Sequence, residues 1–190
     1  MPKIAETIVT TTSAEGVVHI APLGLIADGD QWVIAPFKPS RTLDNLRAVP
    51  FVCASHTSDV RVFAGCITGR KSWPTMPATT IKAARLTQCV SHWEMVVDHV
   101  IEDEQRPRFV CRIVHAESHT PWTGHNRAQA AVIECAVLVS RLHMLPLEKI
   151  DAELKYLEIA IAKTAGPEEL EAWGWLMERI GQWRAGLTAN

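Results

Sequence analysis

Apolar positions along the first 120 residues come in short β-branched runs separated by turn residues, and each run predicts a strand. Residues 4–12 (IAETIVTTT) end at Ser13-Ala14-Glu15-Gly16, where a glycine suits a turn that needs positive φ. Residues 17–26 (VVHIAPLGLI) resume the pattern and complete a hairpin. Asp28-Gly29-Asp30 is a second turn before a short strand over 32–35. Ser40 or Thr42 is placed to cap a short helix through Arg47, which Pro50 closes ahead of a buried strand over 51–55. Residues 60–69 fit a strand or a short helix, and 73–77 (WPTMP) a loop. Strands are expected over 82–91, 93–102 and 109–117, the last two joined by the turn Asp103-Glu104-Gln105-Arg106-Pro107. Seven or eight strands linked mostly by short turns indicate an antiparallel barrel rather than βαβ units.

The period then changes. Residues 127–142 are long, apolar and Ala-rich. Leu147, Ile150, Leu154, Leu157 and Ile161 step by three and four, as do Leu170, Trp173, Met177 and Ile180. Between the stripes, Thr164-Ala165-Gly166-Pro167 predicts a stop with Gly as C-cap and Pro in the next first turn. The expected whole is mainly β with α: residues 1–125 a barrel and 126–190 a helical segment closed by an antiparallel helical hairpin, packed as one structural unit.

Composition narrows the function. Net charge is -2 and no block of like charges occurs, which excludes the electrostatic footprint of a nucleic-acid binder and a basic membrane-surface helix. No apolar run approaches the length of a membrane span. Five scattered cysteines form no C-x-x-C, and nothing at the N-terminus reads as a secretory signal, so free thiols in a cytoplasmic protein are expected. The aromatics are unusual: 7 Trp against 4 Phe and 1 Tyr. Trp173, Trp175 and Trp183 fall on the final helix, with 175 and 183 off its stripe; Trp122 is the one placed as a cofactor or substrate neighbour.

Three groups of residues are candidates for chemistry. Lys38, Ser40, Arg41, Thr42 and Asn45 lie on a loop entering a helix, where free N–H groups, hydroxyls and a guanidinium suit a phosphate; the alternative is a capped surface helix with solvated cations. Asn126 is a good N-cap for the Ala-rich helix, but Arg127 in its first turn opposes the helix dipole, which asks for an anion or for a carboxylate such as Asp44 or Glu134. Glu134 itself falls within an apolar helix, where burial of an unpaired carboxylate is costly. Finally, His115, His119 and His125 cluster in sequence, and 115, 117 and 119 share a face on a strand. That permits a metal without requiring one; with no accompanying Cys pair, no metal is expected. Neither G-x-S-x-G, P-loop nor G-x-G-x-x-G is present.

Taken in order, Glu6-Thr7-Ile8-Val9-Thr10-Thr11, His19-Ile20-Ala21-Pro22-Leu23-Gly24-Leu25, Pro36-Phe37 with Ser40-Arg41-Thr42-Leu43-Asp44-Asn45-Leu46, and Asn126-Arg127-Ala128 with Ala131-Val132-Ile133-Glu134 resemble the FMN-binding split-barrel superfamily. They are most similar to a branch of uncharacterised proteins from archaea and from bacteria with tetrahydromethanopterin-linked one-carbon metabolism. The resemblance covers roughly residues 4–160. It implies a six-stranded split barrel working as a homodimer with FMN at the subunit interface. The phosphate is then expected against Arg41, Thr42 and Asn45, and the flavin ring along Ala21, Pro22, Leu23 and Gly24, with Asn126 and Arg127 also at the cofactor site by motif position.

The implied activity is an oxidoreductase exchanging electrons between the flavin and a nicotinamide or pterin-type small molecule. The protein would supply position and electrostatics, which explains the lack of an acid–base motif. The alternatives are a non-catalytic flavin carrier or sensor, and a split barrel that binds haem or a deazaflavin.

Overall fold

The computed structural model describes residues 2–188. The chain forms two compact units, one of residues 1–57 and 72–122 and the other of residues 58–71 and 123–190.

The first unit is a closed six-stranded barrel. Its strands are β1 (Ile4–Thr12), β2 (Val18–Asp28), β3 (Gln31–Ile34), β4 (Phe51–His56), β7 (Ser91–Ile101) and β8 (Arg108–Ser118), in the order β1-β2-β3-β8-β7-β4. All pairings are antiparallel. Gly16 and Gly29 make the first two hairpin turns at φ of 85° and 59°, conformations that L side chains rarely adopt. The β7–β8 turn is held by Asp103, whose Oδ1 accepts from the Gln105 and Arg106 N–H groups. The interior is filled from inward positions of all six strands by Val9, Leu25, Ile34, Val52, Ala54, Met95, Phe109 and Cys111. Helix α1 (Arg41–Ala48) adds Leu43 and Leu46 to this core. It enters between the end of β3 and the start of β4, which sets it at one end of the barrel.

The outer side of the β1–β4–β7 wall is also buried, and it is polar. Thr10, Ser55, His92 and Glu94 face outward there and are at most 1% exposed. Buried polar groups need partners, and residues 72–90 supply most of them. This segment carries two short strands, β5 (Thr75–Pro77) and β6 (Ala84–Leu86), paired with each other alone. Thr10 donates to the Ala84 carbonyl, and Leu86 N–H donates to Ser55 Oγ at 3.2 Å. Glu94 accepts from the N–H groups of Thr79, Thr80 and Ile81 and from the Thr80 hydroxyl. Burial opposes ionisation of Glu94, but these bonds and the one from His92 outweigh it and hold the carboxyl at about 2. The predicted strand over 82–91 shrinks to three residues and the predicted loop at 73–77 gains three, because side chains of the barrel wall, not local alternation, dictate the path.

The second unit is helical: α2 (Arg61–Ile67), α3 (Arg127–Ser140), α4 (Leu147–Thr164) and α5 (Pro167–Thr188). Residues 60–69 thus resolve to a helix whose buried face joins this core. Ala128, Ala131, Val132, Cys135, Leu138 and Val139 of α3 lie at its centre, with Ile150, Leu154 and Ile161 of α4 and Ala172, Trp173, Leu176 and Ile180 of α5. The helices α4 and α5 meet largely through α3, so a cluster around α3 replaces a simple hairpin. The α5 stripe runs through Leu176; Leu170 is 53% exposed and Met177 only half-buried. Glu134 is exposed, so the anticipated cost of burying it does not arise. At the α4–α5 junction Ala165 is the C-cap and Gly166 the N-cap of α5: its N–H donates to Glu169 Oε2 at 2.9 Å, and Leu170 N–H returns to its carbonyl. Arg70 lies over the Trp175 ring, 4.6 Å from its centroid, which covers the off-stripe face of α5.

Two measurements check these packing claims. Leu176→Ala, at a position with no exposure, is expected to cost about 2–5 kcal/mol in urea unfolding followed by helical circular dichroism. Glu94→Gln is expected to cost about 1–3 kcal/mol near neutral pH. Because the folded pKa of Glu94 lies well below that of an ordinary glutamate, its contribution is complete above the ordinary value and fades as pH falls toward 2. The gap between wild type and Glu94→Gln should therefore narrow between about pH 6 and pH 3; a constant gap would refute this account.

Candidate functional site

The loop ahead of α1 is fastened to the β7–β8 turn. Arg106 donates to the Ala35 carbonyl at 3.1 and 2.8 Å and lies 4.2 Å from the Phe37 ring centroid. Lys38 N–H donates to the Gln105 carbonyl, and Lys38 Nζ to the Asp103 carbonyl at 2.7 Å. Ser40 caps α1, accepting from Leu43 N–H on its hydroxyl and from Asp44 N–H on its carbonyl. Asn45 is buried and donates to the buried Thr11 hydroxyl at 3.0 Å, which holds α1 onto β1. Lys38, Ser40 and Asn45 are thus engaged within the chain. Arg41 and Thr42 are not: Arg41 is exposed, and among the described residues neither its guanidinium nor the Thr42 hydroxyl has a partner. By contrast, Arg47 is paired with Glu102 at 2.9 Å, and Arg61 with Asp59 at 2.8 Å.

Ala21, Pro22, Leu23 and Gly24 lie together on β2, with Ala21 and Leu23 packed against the barrel core. Alternation then turns Pro22 and Gly24 to the outer face. The absent side chain of Gly24 has a reason inside the chain, since a Cβ there would meet Ile4 Cγ2 at 2.7 Å. The strand pairs with β3 only at Ile26, Ala27 and Asp28. Among the described strands its stretch from Val18 to Leu25 pairs with β1 alone. Pro22, lacking an N–H, sits on this open edge, as its chemistry requires.

At the end of the barrel opposite α1 is a cleft of about 460 Å³, lined by Glu6, His56, Thr57, Val90, Ser91, Ser118, Thr120 and Trp122. Trp122 is 58% exposed on its rim. Trp93, on the inner face beside it, contacts His56 edge-on at 4.5 Å and Trp32 at 4.9 Å between ring centroids. Burial lowers the His56 pKa, which favours the neutral imidazole.

Asn126 and Arg127 belong to the helical unit. Asn126 caps α3, accepting from Ala128 N–H at 2.7 Å and donating to the Thr164 carbonyl at 3.0 Å, which occupies both ends of its amide. Arg127 is exposed and forms no ion pair with Glu134 or Asp44 among the described residues. The five cysteines are buried and none is in a disulfide, and burial raises the thiols of Cys53, Cys111 and Cys135 to about 12, which removes them as nucleophiles. His115 and His119 do come together with Glu117, but on β8 they meet two residues of β7, His92 and Glu94, that the sequence pattern does not associate with them.

Residues 5–120 match the family described as "Protein of unknown function (DUF447) N-terminal domain", and residues 126–178 match the one described as "Protein of unknown function (DUF447)". The chain belongs to the DUF447 family. No curated protein matches it. Among solved structures it is similar to the FMN-bound DUF447 protein MM1853 of Methanosarcina mazei, with a TM-score of 0.80 at 19% identity over 94% of this chain and 96% of that one. It is also similar to the 2-nitrobenzoate 2-nitroreductase of Pseudomonas fluorescens (TM-score 0.52, 21% identity, 63% and 66% covered). Flavoredoxin of Methanosarcina acetivorans is comparable (0.52, 17%, 63% and 69%). The second and third likenesses cover about the length of the barrel, whereas that to the DUF447 protein includes the helices as well. The split-barrel fold expected from the sequence motifs is the fold observed.

Within this DUF447 chain, Asn45→Ala should cost about 1–3 kcal/mol in denaturant unfolding, because the buried Thr11 hydroxyl loses its donor. A change below about 0.5 kcal/mol would show that α1 is held by its leucines alone.

Proposed function

We propose that the chain is an FMN-binding flavoprotein that exchanges electrons with a nicotinamide or pterin-type small molecule, and that two copies enclose the flavin at their interface. The observation that carries this is Arg41: a guanidinium at the start of a helix whose loop is fastened to the β7–β8 turn, left without an acceptor among the described residues, beside an unengaged Thr42 hydroxyl. The FMN bound by a DUF447 protein of the same two-part length supports the reading.

The residues present fit the group. The Leu43 and Asp44 N–H groups are taken by Ser40. The N–H groups of Arg41 and Thr42, the Thr42 hydroxyl and the guanidinium are left for a phosphate dianion, which the helix dipole also favours. Lys38 adds positive potential while its ammonium stays on the Asp103 carbonyl. The open edge of β2 around Ala21, Pro22 and Leu23 offers backbone donors and acceptors to a planar ring. When bound, FMN supplies the hydride and electron transfer, and the chain binds, orients and shields it. The cleft beside Trp122 and His56 has the size of a small-molecule site and is the candidate place for the electron partner. An unpaired edge over much of β2 invites a partner strand or surface, and Phe37, 57% exposed near the same end, adds apolar area; both favour a homodimer.

Purified protein, reconstituted with FMN, should show flavin absorbance that NADH, NADPH or a reduced pterin bleaches. Bound FMN with no bleaching by any of these would leave a carrier or sensor. In a fluorescence titration, Arg41→Ala with Thr42→Ala should weaken FMN binding by roughly 10–100-fold, for about 1.5–3 kcal/mol of charge-assisted bonding. Unchanged affinity in the folded double variant would overturn the phosphate assignment.

A further inference from the structure

The outer face of the β7–β8 ribbon carries a second constellation, away from the barrel interior and independent of the flavin reading. A register shift between Glu94 and Met95 places Glu94 opposite His115 and Met95 opposite Ile113, so Val114 is an extra residue. The shift turns His115 and Glu117 to the same side as His92 and Glu94. His92 and Glu94 have no exposure at all. Donor atoms of His92, Glu94 and His115 lie within 4.8 Å of one another.

From this geometry we infer that His92, Glu94 and His115 form a binding site for a divalent transition-metal ion of the zinc type, with a fourth position open toward Glu117.

Four observations support it. First, His115 Nε2 is buried and lacks a hydrogen-bond partner, the one such side-chain atom among the described residues; its nearest carboxylate, Glu117 Oε2, is 3.5 Å away. An orphaned imidazole nitrogen beside a carboxylate and a second imidazole calls for a cation. Second, His92 Nε2 and Glu94 Oε1 are 3.2 Å apart. Two ligands about 2.0–2.2 Å from a tetrahedral centre lie roughly 3.3–3.5 Å from each other, so this edge needs little adjustment.

Third, the supporting bonds that ligands require already exist. His92 Nδ1 lies 2.9 Å from His119 Nε2, so with Nε2 on a metal the Nδ1–H donates to His119. Glu94 keeps its loop bonds from residues 79–81, as ligating carboxylates generally do. Fourth, the donor set balances: two imidazoles with one carboxylate and an open position match catalytic zinc sites. Glu94 and Glu117 outnumber the guanidinium of Arg85, which acts on His119.

The test is a titration of EDTA-treated full-length protein with Zn(II) alone, by calorimetry, with Co(II) spectra reporting the ligand field. The expected result is one Zn(II) per chain and Co(II) bands of low coordination number. His115→Ala should abolish tight uptake, His119→Ala should weaken it roughly 10–100-fold, and His143→Ala, on an exposed turn of the helical unit, should leave it unchanged. Circular dichroism establishes that each variant is folded. Independently of any variant, ring-nitrogen NMR of the wild type should show Zn(II) shifting His92 Nε2 and His115 Nε2. Failure to take up Zn(II) at micromolar concentration, equal affinity in His115→Ala, or NMR shifts confined to other histidines would each overturn the proposal.

Discussion

The barrel depends on a carboxylate with no exposure. Glu94 faces outward from β7 into a layer of chain, not into solvent, and its oxygens gather the N–H groups of three successive residues, 79–81. With the Thr10 and Ser55 hydroxyls it pins a segment that has little regular structure of its own over three neighbouring strands. Without that cover the wall would expose Ile8 and Cys53 and leave its polar groups to water. Burial of the wall and satisfaction of its polar row are therefore one event. This explains why β1, a threonine-rich strand, is buried on both faces from Thr7 to Thr11.

The six barrel strands and the three long helices were legible from the chain alone, because each owes its form to local alternation or to steps of three and four. What escaped was non-local. Segment 72–90 follows the hydroxyls and carboxylate of strands distant in sequence. Helix α2 is apolar on nearly every side, so its period cannot distinguish helix from strand. On α5 two adjacent candidates, Leu176 and Met177, compete for the stripe, and contact with α3 selects the first. Gly166 offered the right residue for one cap and served the other, because Glu169 three positions on reaches back to its N–H.

The candidate site divides in the same way. Ser40, Asn45 and Asn126 carry the signals of a binding motif, and each also holds a helix in place. Arg41 and Thr42 carry the same signals and have no such explanation. A motif read from sequence does not show which of its polar groups are already satisfied within the fold; the hydrogen bonds of the folded chain do. The histidine cluster shows the converse. His115 and His119 were visible as a pair, but half of their constellation comes from β7, and the single extra residue at Val114 that aligns the two strands leaves no trace in composition.

Residues 58–71 interrupt the barrel's sequence and contribute α2 to the helical core. The polypeptide therefore crosses between its two units three times, near residues 57, 71 and 122. A chain of only the first 125 residues would leave Val60 and Ala64 without the helices they pack against, while the remainder would lack one wall of its own core. A cut near residue 125 therefore separates α2 from the rest of its own core.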